Sequence, residues 1–368
     1  MLCHGRVDVG RAMWEYRGMT PETKRLYHQF WGRRNERTIV YMTVTREGAA
    51  PWPAPATLRE RWESPEYRQR VAEHALSATD CRGDGFMAVQ TAIGPGSLAA
   101  MIGGDYALQD NTVWFEFPVL KTWEDVDALR LRADSPMYKA TEGITRQLAM
   151  NSRGRYVMGE TGLCNGLDVL ASLRGTQRLL MDLHDSPAEV AKAVSVIDGL
   201  WREVYAWQCD IIAGHGQEGM TSWLPVWCPG RWSTLQSDFA AMISPDHFQE
   251  FVVPTLESSM DILDHAIYHL DGPGQIPHLE SLLALERLDG IQWMPGAGVP
   301  TEGDDRWFPL YERIQAAGKN LVLFCNGAEA KKLLRRLSPA GLYLCVSVSG
   351  HAEAEDIIEF NKTLGIHL

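Results

Sequence analysis

The chain has 368 residues, a formal net charge of −12, 45% hydrophobic and 22% charged residues. The acidic balance, with no cluster of Lys and Arg, excludes a protein that grips a phosphate backbone, and the ordinary globular composition excludes extended disorder. No apolar run approaches the roughly 20 residues that cross a bilayer.

The opening segment MLCHGRVDVGRAMWEYRG carries charges where a secretory signal needs an apolar stretch, so a cytoplasmic location is expected. Seven cysteines (Cys3, Cys81, Cys164, Cys209, Cys228, Cys325 and Cys345) are scattered without a CxxC pair, the pattern of reduced thiols. The length suits one α/β barrel domain spanning 1–368, with an N-terminal extension and first strand over 1–80 and an insertion over 94–149.

In chain order, RTIVYMTV (Arg37–Val44), FMAVQT (Phe86–Thr91) and RYVMGE (Arg155–Glu160) read as strands. The insertion holds TVWFEF and a charged helical segment after Lys121. Pro187–Ile212 reads as one long helix opened by Ser186 and Pro187. SWLPVW (Ser222–Trp227) reads as a strand, followed by a helix with Ser244 as N-cap and Pro245 at its first position. Strand and helix then alternate. AIYHL (Ala266–Leu270) precedes a helix around Pro277–Leu285, and GIQWM (Gly290–Met294) precedes one around Phe308–Ala317. NLVLFC (Asn320–Cys325) leads into GAEAKKLLRRL, and GLYLCVSVS (Gly341–Ser349) leads into EAEDIIEFNKTL. Such alternation specifies parallel strands, and the expected fold is an α/β, (β/α)8 TIM barrel.

The stretch YHLDGPGQ concentrates the chemistry. Residues two apart on a strand share a face, so His269 and Asp271 converge, and they do so at the strand's carboxyl end, where barrel active sites gather. Gly272 and Gly274 permit a tight turn beside a ligand. The same residues also read as a strand-end histidine and a turn-capping aspartate. Glu160 ends its own strand and is a candidate acid/base group or metal ligand, or a capping residue. Trp223, Trp227 and Trp293 either wall an apolar or methylammonium-bearing substrate or pack the barrel. Asp84, in RGDGF, either binds a cationic or NH-bearing ligand or holds a turn. His247, His265 and His278 read as surface or packing residues on helices. Gly94-Pro95-Gly96 lacks the lysine of a phosphate loop.

GDGFMAVQTAIGPG (Gly83–Gly96), YVMGETGLCNGLDVL with ASLRG (Tyr156–Gly175), SDFAAMISPDHFQEFVVPTL (Ser237–Leu256), YHLDG (Tyr268–Gly272) and the terminal SVSGHAEAEDIIEF together resemble the uroporphyrinogen decarboxylase superfamily, which includes the coenzyme M and corrinoid-dependent methyltransferases. The resemblance implies a methyltransferase that moves a methyl group between a corrinoid carrier, free or on a partner protein, and a small substrate. In those enzymes zinc is held by an HxC pair and a later cysteine. By that resemblance the ligands here are His269, Asp271 and His351, with 79 residues between the last two, and Cys345 is the alternative third ligand. Carboxylate and imidazole in place of two thiolates would give a harder centre suited to zinc or another divalent metal acting as a Lewis acid. The decarboxylase branch of the superfamily grips its substrate through an arginine-rich motif, which NERTIVYMTVTREGAA lacks. A lyase centred on Asp84, or a barrel that binds a tetrapyrrole or corrinoid without turnover, are the alternatives.

Overall fold

The computed structural model describes residues 19–115 and 118–365. Cys3, the opening segment and part of TVWFEF lie outside the described residues. The strands are β1 (Ile39–Thr45), β2 (Thr79–Gly83), β3 (Ala88–Gln90), β4 (Ala107–Leu108), β5 (Val113–Trp114), β6 (Val157–Gly159), β7 (Trp232–Leu235), β8 (His265–Asp271), β9 (Gly290–Met294), β10 (Asn320–Asn326) and β11 (Leu342–Ser347).

Seven of them form one sheet in the order β2-β1-β11-β10-β9-β8-β7. All its pairings are parallel except β1 with β2, as the strand–helix alternation requires. β3 and β6 pair with each other in parallel, and one isolated bridge, Gly159–Thr221, links β6 onward. The fold is thus mixed α/β with a mainly parallel sheet, compatible with a TIM-barrel arrangement. Among the described residues no continuous ladder closes the ring. Side chains span the gaps. Ser222 and Ser233 donate to Glu160 Oε1 at 2.9 and 3.3 Å, and Tyr41 OH donates to the Phe86 carbonyl at 3.0 Å.

Two strands differ from the sequence expectation. Ser222–Trp227 is not a strand: Pro225 has no N–H to give a ladder, and Val226 N–H turns back to the Leu224 carbonyl at 2.8 Å. The strand of this sector is β7, whose WSTL carries too little apolar alternation to announce itself. The polar edge strand β2 gives no apolar pattern in the sequence, and it runs into the turn expected at Asp84, where Gly85 N–H donates to the Arg82 carbonyl at 3.0 Å. The expected helix after Ser244 forms, with Ser244 Oγ accepting from His247 N–H at 3.2 Å. It passes through a π-helical turn at Phe248–Val252 before Val253–Met260, because Pro254 cannot supply the next helical hydrogen bond. The long helix runs Pro187–Gly214.

The amino end of the sheet is plugged by the helix Pro21–Trp31, capped by Thr20. Its buried face carries Tyr27, Phe30 and Trp31 at helical spacing. Trp31 stacks on His265 at 4.4 Å, and Tyr27 meets Phe86 at 5.7 Å and Tyr343 at 6.2 Å. Each aromatic buried this way stabilises the fold by about 2 kcal/mol. His265 is the first residue of β8 rather than a helical residue, and pairs with Asp289 at 2.8 Å.

Register then fixes which residues meet inside. His269 lies opposite Gln292, Gln292 opposite Val322, and Val322 opposite Tyr343. In the next inward row toward the carboxyl end, Asp271 lies opposite Met294, and Phe324 opposite Cys345, which lies opposite Tyr41. Tyr343 marks the inward face, since it packs on the plugging helix.

Candidate functional site at the carboxyl ends of the strands

His269 and Asp271 share that inward face, while Tyr268 and Leu270 turn outward into the packing, with Tyr268 against Phe248. Gln292 orients His269. Its Nε2 donates to the Trp293 carbonyl at 2.8 Å, so its Oε1 is the atom that faces His269 Nδ1. An amide oxygen only accepts, which assigns the proton to Nδ1 and leaves the Nε2 lone pair open. Trp223 meets the imidazole edge-on at 5.0 Å.

Asp238, just beyond β7, reaches the same space. Desolvation raises its carboxyl above the usual range, His269 opposes that shift, and Asp271 adds to it. Asp168, in the first turn of the helix Gly166–Arg174, accepts from the backbone N–H groups of Asp238 (3.0 Å) and Phe239 (2.8 Å). Burial, then Asp238, pushes Asp168 up to about 7 against those two hydrogen bonds. Cys164 is buried, hydrogen-bonded to Gln236 Nε2 at 3.2 Å, and kept as a neutral thiol by burial and by Asp168 and Asp238. The cluster can thus hold and move a proton and orient a polar substrate group. Sequence reasoning passed over Gln292, Asp238 and Asp168. The one available signal was Gln292, a lone amide inside the apolar strand GIQWM.

The other expected residues lie elsewhere. His351 opens the outer helix His351–Gly365, and its Nε2 lies 3.2 Å from Asp80 Oδ2 on β2. That is the outer face of the sheet, five strands from β8 in the order β8-β9-β10-β11-β1-β2. Cys345 faces inward but belongs to β11, three strands from β8, and burial raises its thiol to about 12. Trp293 alternates with Gln292 and so points outward, against Trp307 at 4.9 Å. Trp227 packs edge-on to Tyr27 and gives its carbonyl to Trp31 Nε1 at 2.9 Å, at the plugged amino end. Of the three tryptophans, Trp223 joins His269.

Glu160 is buried and shielded from solvent. It accepts from Ser222, Ser233 and Gly162 N–H, and burial holds its carboxyl above the usual range. Asp84 lies at the amino end, where Arg37 clasps it through two hydrogen bonds of 2.7 Å and Val40 N–H donates to it at 3.0 Å. In a barrel-like fold that end serves stability rather than catalysis.

The expected metal ligands do not come together. His269 and Asp271 converge without His351 or Cys345, and two ligands fall short of the three protein ligands of a catalytic zinc site. Among the described residues no three His, Cys, Asp or Glu side chains are grouped to hold an ion.

The fold and this cluster define an α/β protein with a polar, proton-handling site at the carboxyl ends of its parallel strands. The fold resembles that of a methyltransferase from Methanosarcina mazei, with a TM-score of 0.59 and 14% sequence identity over 94% of this chain and 98% of that one. Over 102 residues the chain is 28% identical to an enolase-phosphatase E1 from Naegleria gruberi. That match spans 27% of this chain and 38% of the relative, well short of its full length. No family model matches the sequence. Among the described residues, no helix is long and apolar enough to cross a membrane.

Proposed function

We propose that this protein is a methyltransferase that moves a methyl group between a corrinoid carrier, free or borne by a partner protein, and a small substrate, in the cytoplasm. The reading rests on the inward pair His269–Asp271, with the imidazole Nε2 left open by Gln292, in a fold shared along nearly the whole chain with a methyltransferase. The methyl group leaves its donor without the bonding electron pair, and the acceptor supplies the pair that forms the new bond. Where the acceptor is protic, His269 Nε2 takes its proton, and Asp271 and Asp238 stabilise the imidazolium that results. Asp168 holds Asp238 in place through the backbone. Trp223 keeps one side of the imidazole dry.

Because the expected ligands do not meet, this reading contains no step at a zinc or other divalent ion. The lyase alternative gains no support from the position of Asp84, which is clasped by Arg37 far from the carboxyl ends. The test is a deuterated-methyl chase: the purified protein, a methylated corrinoid and a pool of small amines, thiols and phenols, with mass spectrometry of the products. A labelled product that requires His269 supports the proposal. A folded protein that labels nothing, in either direction of transfer, overturns it.

A further inference from the structure

A second feature lies in the inward row that begins at Asp271. At the carboxyl ends of β1, β10 and β11 a cleft of ≈ 420 Å³ opens, lined among others by Tyr41, Phe324, Cys345, Asn326, Glu302 and Glu329. At ~4.8 Å per strand, β10 stands about 10 Å from β8, so one small molecule can reach both the cleft and His269.

The charge of the lining is one-sided: two carboxylates, and no Lys, Arg or His. Glu329 is already engaged, since it accepts from Asn326 N–H at 3.1 Å and from Thr301 Oγ1 and so closes the cap of the helix Gly327–Arg336. Glu302 is different. Its residue is 7% exposed, and among the described residues no cation pairs with it. The nearby Lys332 is occupied by Asp305 at 3.1 Å and by the Gly303 carbonyl at 2.7 Å. Tyr311 OH anchors the Glu302 backbone carbonyl at 2.9 Å, which fixes the residue at the cleft wall. A buried carboxylate without a counter-charge is pushed toward its neutral form, as burial and then Glu329 raise Glu302 against a hydrogen bond from its own backbone, and a ligand cation would restore the charged form. The rest of the wall is uncharged: the rings of Tyr41 and Phe324, two cysteine thiols, and small polar and apolar side chains, and the ring faces suit a diffuse cation better than a strongly hydrated one. A phosphate or carboxylate ligand is excluded by the same lining.

We propose that this cleft binds the ammonium group of the substrate, a quaternary or protonated methylated amine, with Glu302 as its counter-ion and Tyr41 and Phe324 against its methyl groups. The substrate role rests on the methyltransferase reading; the binding itself does not. The probe is tetramethylammonium chloride, titrated into the full chain at constant ionic strength by calorimetry, with tert-butanol as the neutral analogue. Saturable binding of the cation is expected, weakened about tenfold in Glu302→Gln and also in Phe324→Leu, with both variants checked for an unchanged thermal transition. Tert-butanol should bind at least tenfold more weakly. Equal binding of the neutral analogue, unchanged affinity in Glu302→Gln, or no binding to the wild type would each overturn the proposal. Binding without methyl transfer to or from any amine would retain the cleft and reject the methyltransferase reading, while transfer indifferent to Glu302 would do the reverse.

Discussion

Arg37 and Asp84 form a two-pronged pair, both hydrogen bonds 2.7 Å long, that ties the segment leading into β1 to the turn after β2 at the amino end of the sheet. Asp84 is almost wholly buried and also accepts from Val40 N–H. Removing one partner of such a pair strands the other, so Asp84→Asn should cost about 3 kcal/mol of stability. Urea denaturation measures this, and the turnover of the folded fraction should be unchanged. A normal denaturation midpoint with lost turnover would give Asp84 a catalytic role instead.

His351 should behave as a surface residue. Its contact with Asp80 is half-exposed, and exposed pairs contribute at most about 1 kcal/mol. Elemental mass spectrometry of wild type, His269→Ala and His351→Ala should give the same metal content for wild type and His351→Ala. Metal lost on changing His351 alone would contradict its placement on the outer face.

Glu160 joins β6 to β7 where the ladder is missing. Glu160→Ala should cost about 3 kcal/mol, because two buried serine hydroxyls and the Gly162 N–H lose their acceptor. Its carboxyl is raised above 4.5 by burial, so its stabilising contribution is complete below that pH and is lost as pH rises through the raised value. The stability of Glu160→Gln relative to wild type should therefore increase with pH over that window. A difference that stays flat from pH 4 to pH 8 would show an ionised, solvated Glu160.

Gln292 is a positioning residue. Gln292→Leu should leave His269 without a fixed tautomer and lower turnover roughly 10- to 100-fold, by analogy with other groups that orient an active histidine. Nitrogen NMR of the imidazole should show an Nδ1–H form in the wild type and a mixture in the variant. The same form in both would remove Gln292 from the account.

The parts of this molecule that could be read from sequence are those where periodicity decides. GIQWM, NLVLFC and AIYHL are short apolar runs followed by helical patterns, and β9, β10 and β8 fall where they were expected. The period of two also placed His269 and Asp271 on one inward face. The same rule, applied to Gln292 opposite His269, turns Trp293 outward. Chain spacing did not reveal where His351 points, because that depends on the outer helix packing on β2, a strand too polar to recognise. Glu302 and Phe324 carried no signal alone; register across β10, β11 and β1 assembles the cleft.

The most direct test is the absorption spectrum of a methylated corrinoid mixed with the protein and a pool of small acceptors, compared with Asp271→Asn and His269→Ala. The account predicts a change to the unmethylated corrin spectrum with the wild type, slowed about 100-fold or more in both variants. An unchanged spectrum with folded wild-type protein, or an equally fast change in Asp271→Asn, would contradict a methyl-transfer site at the carboxyl end of β8.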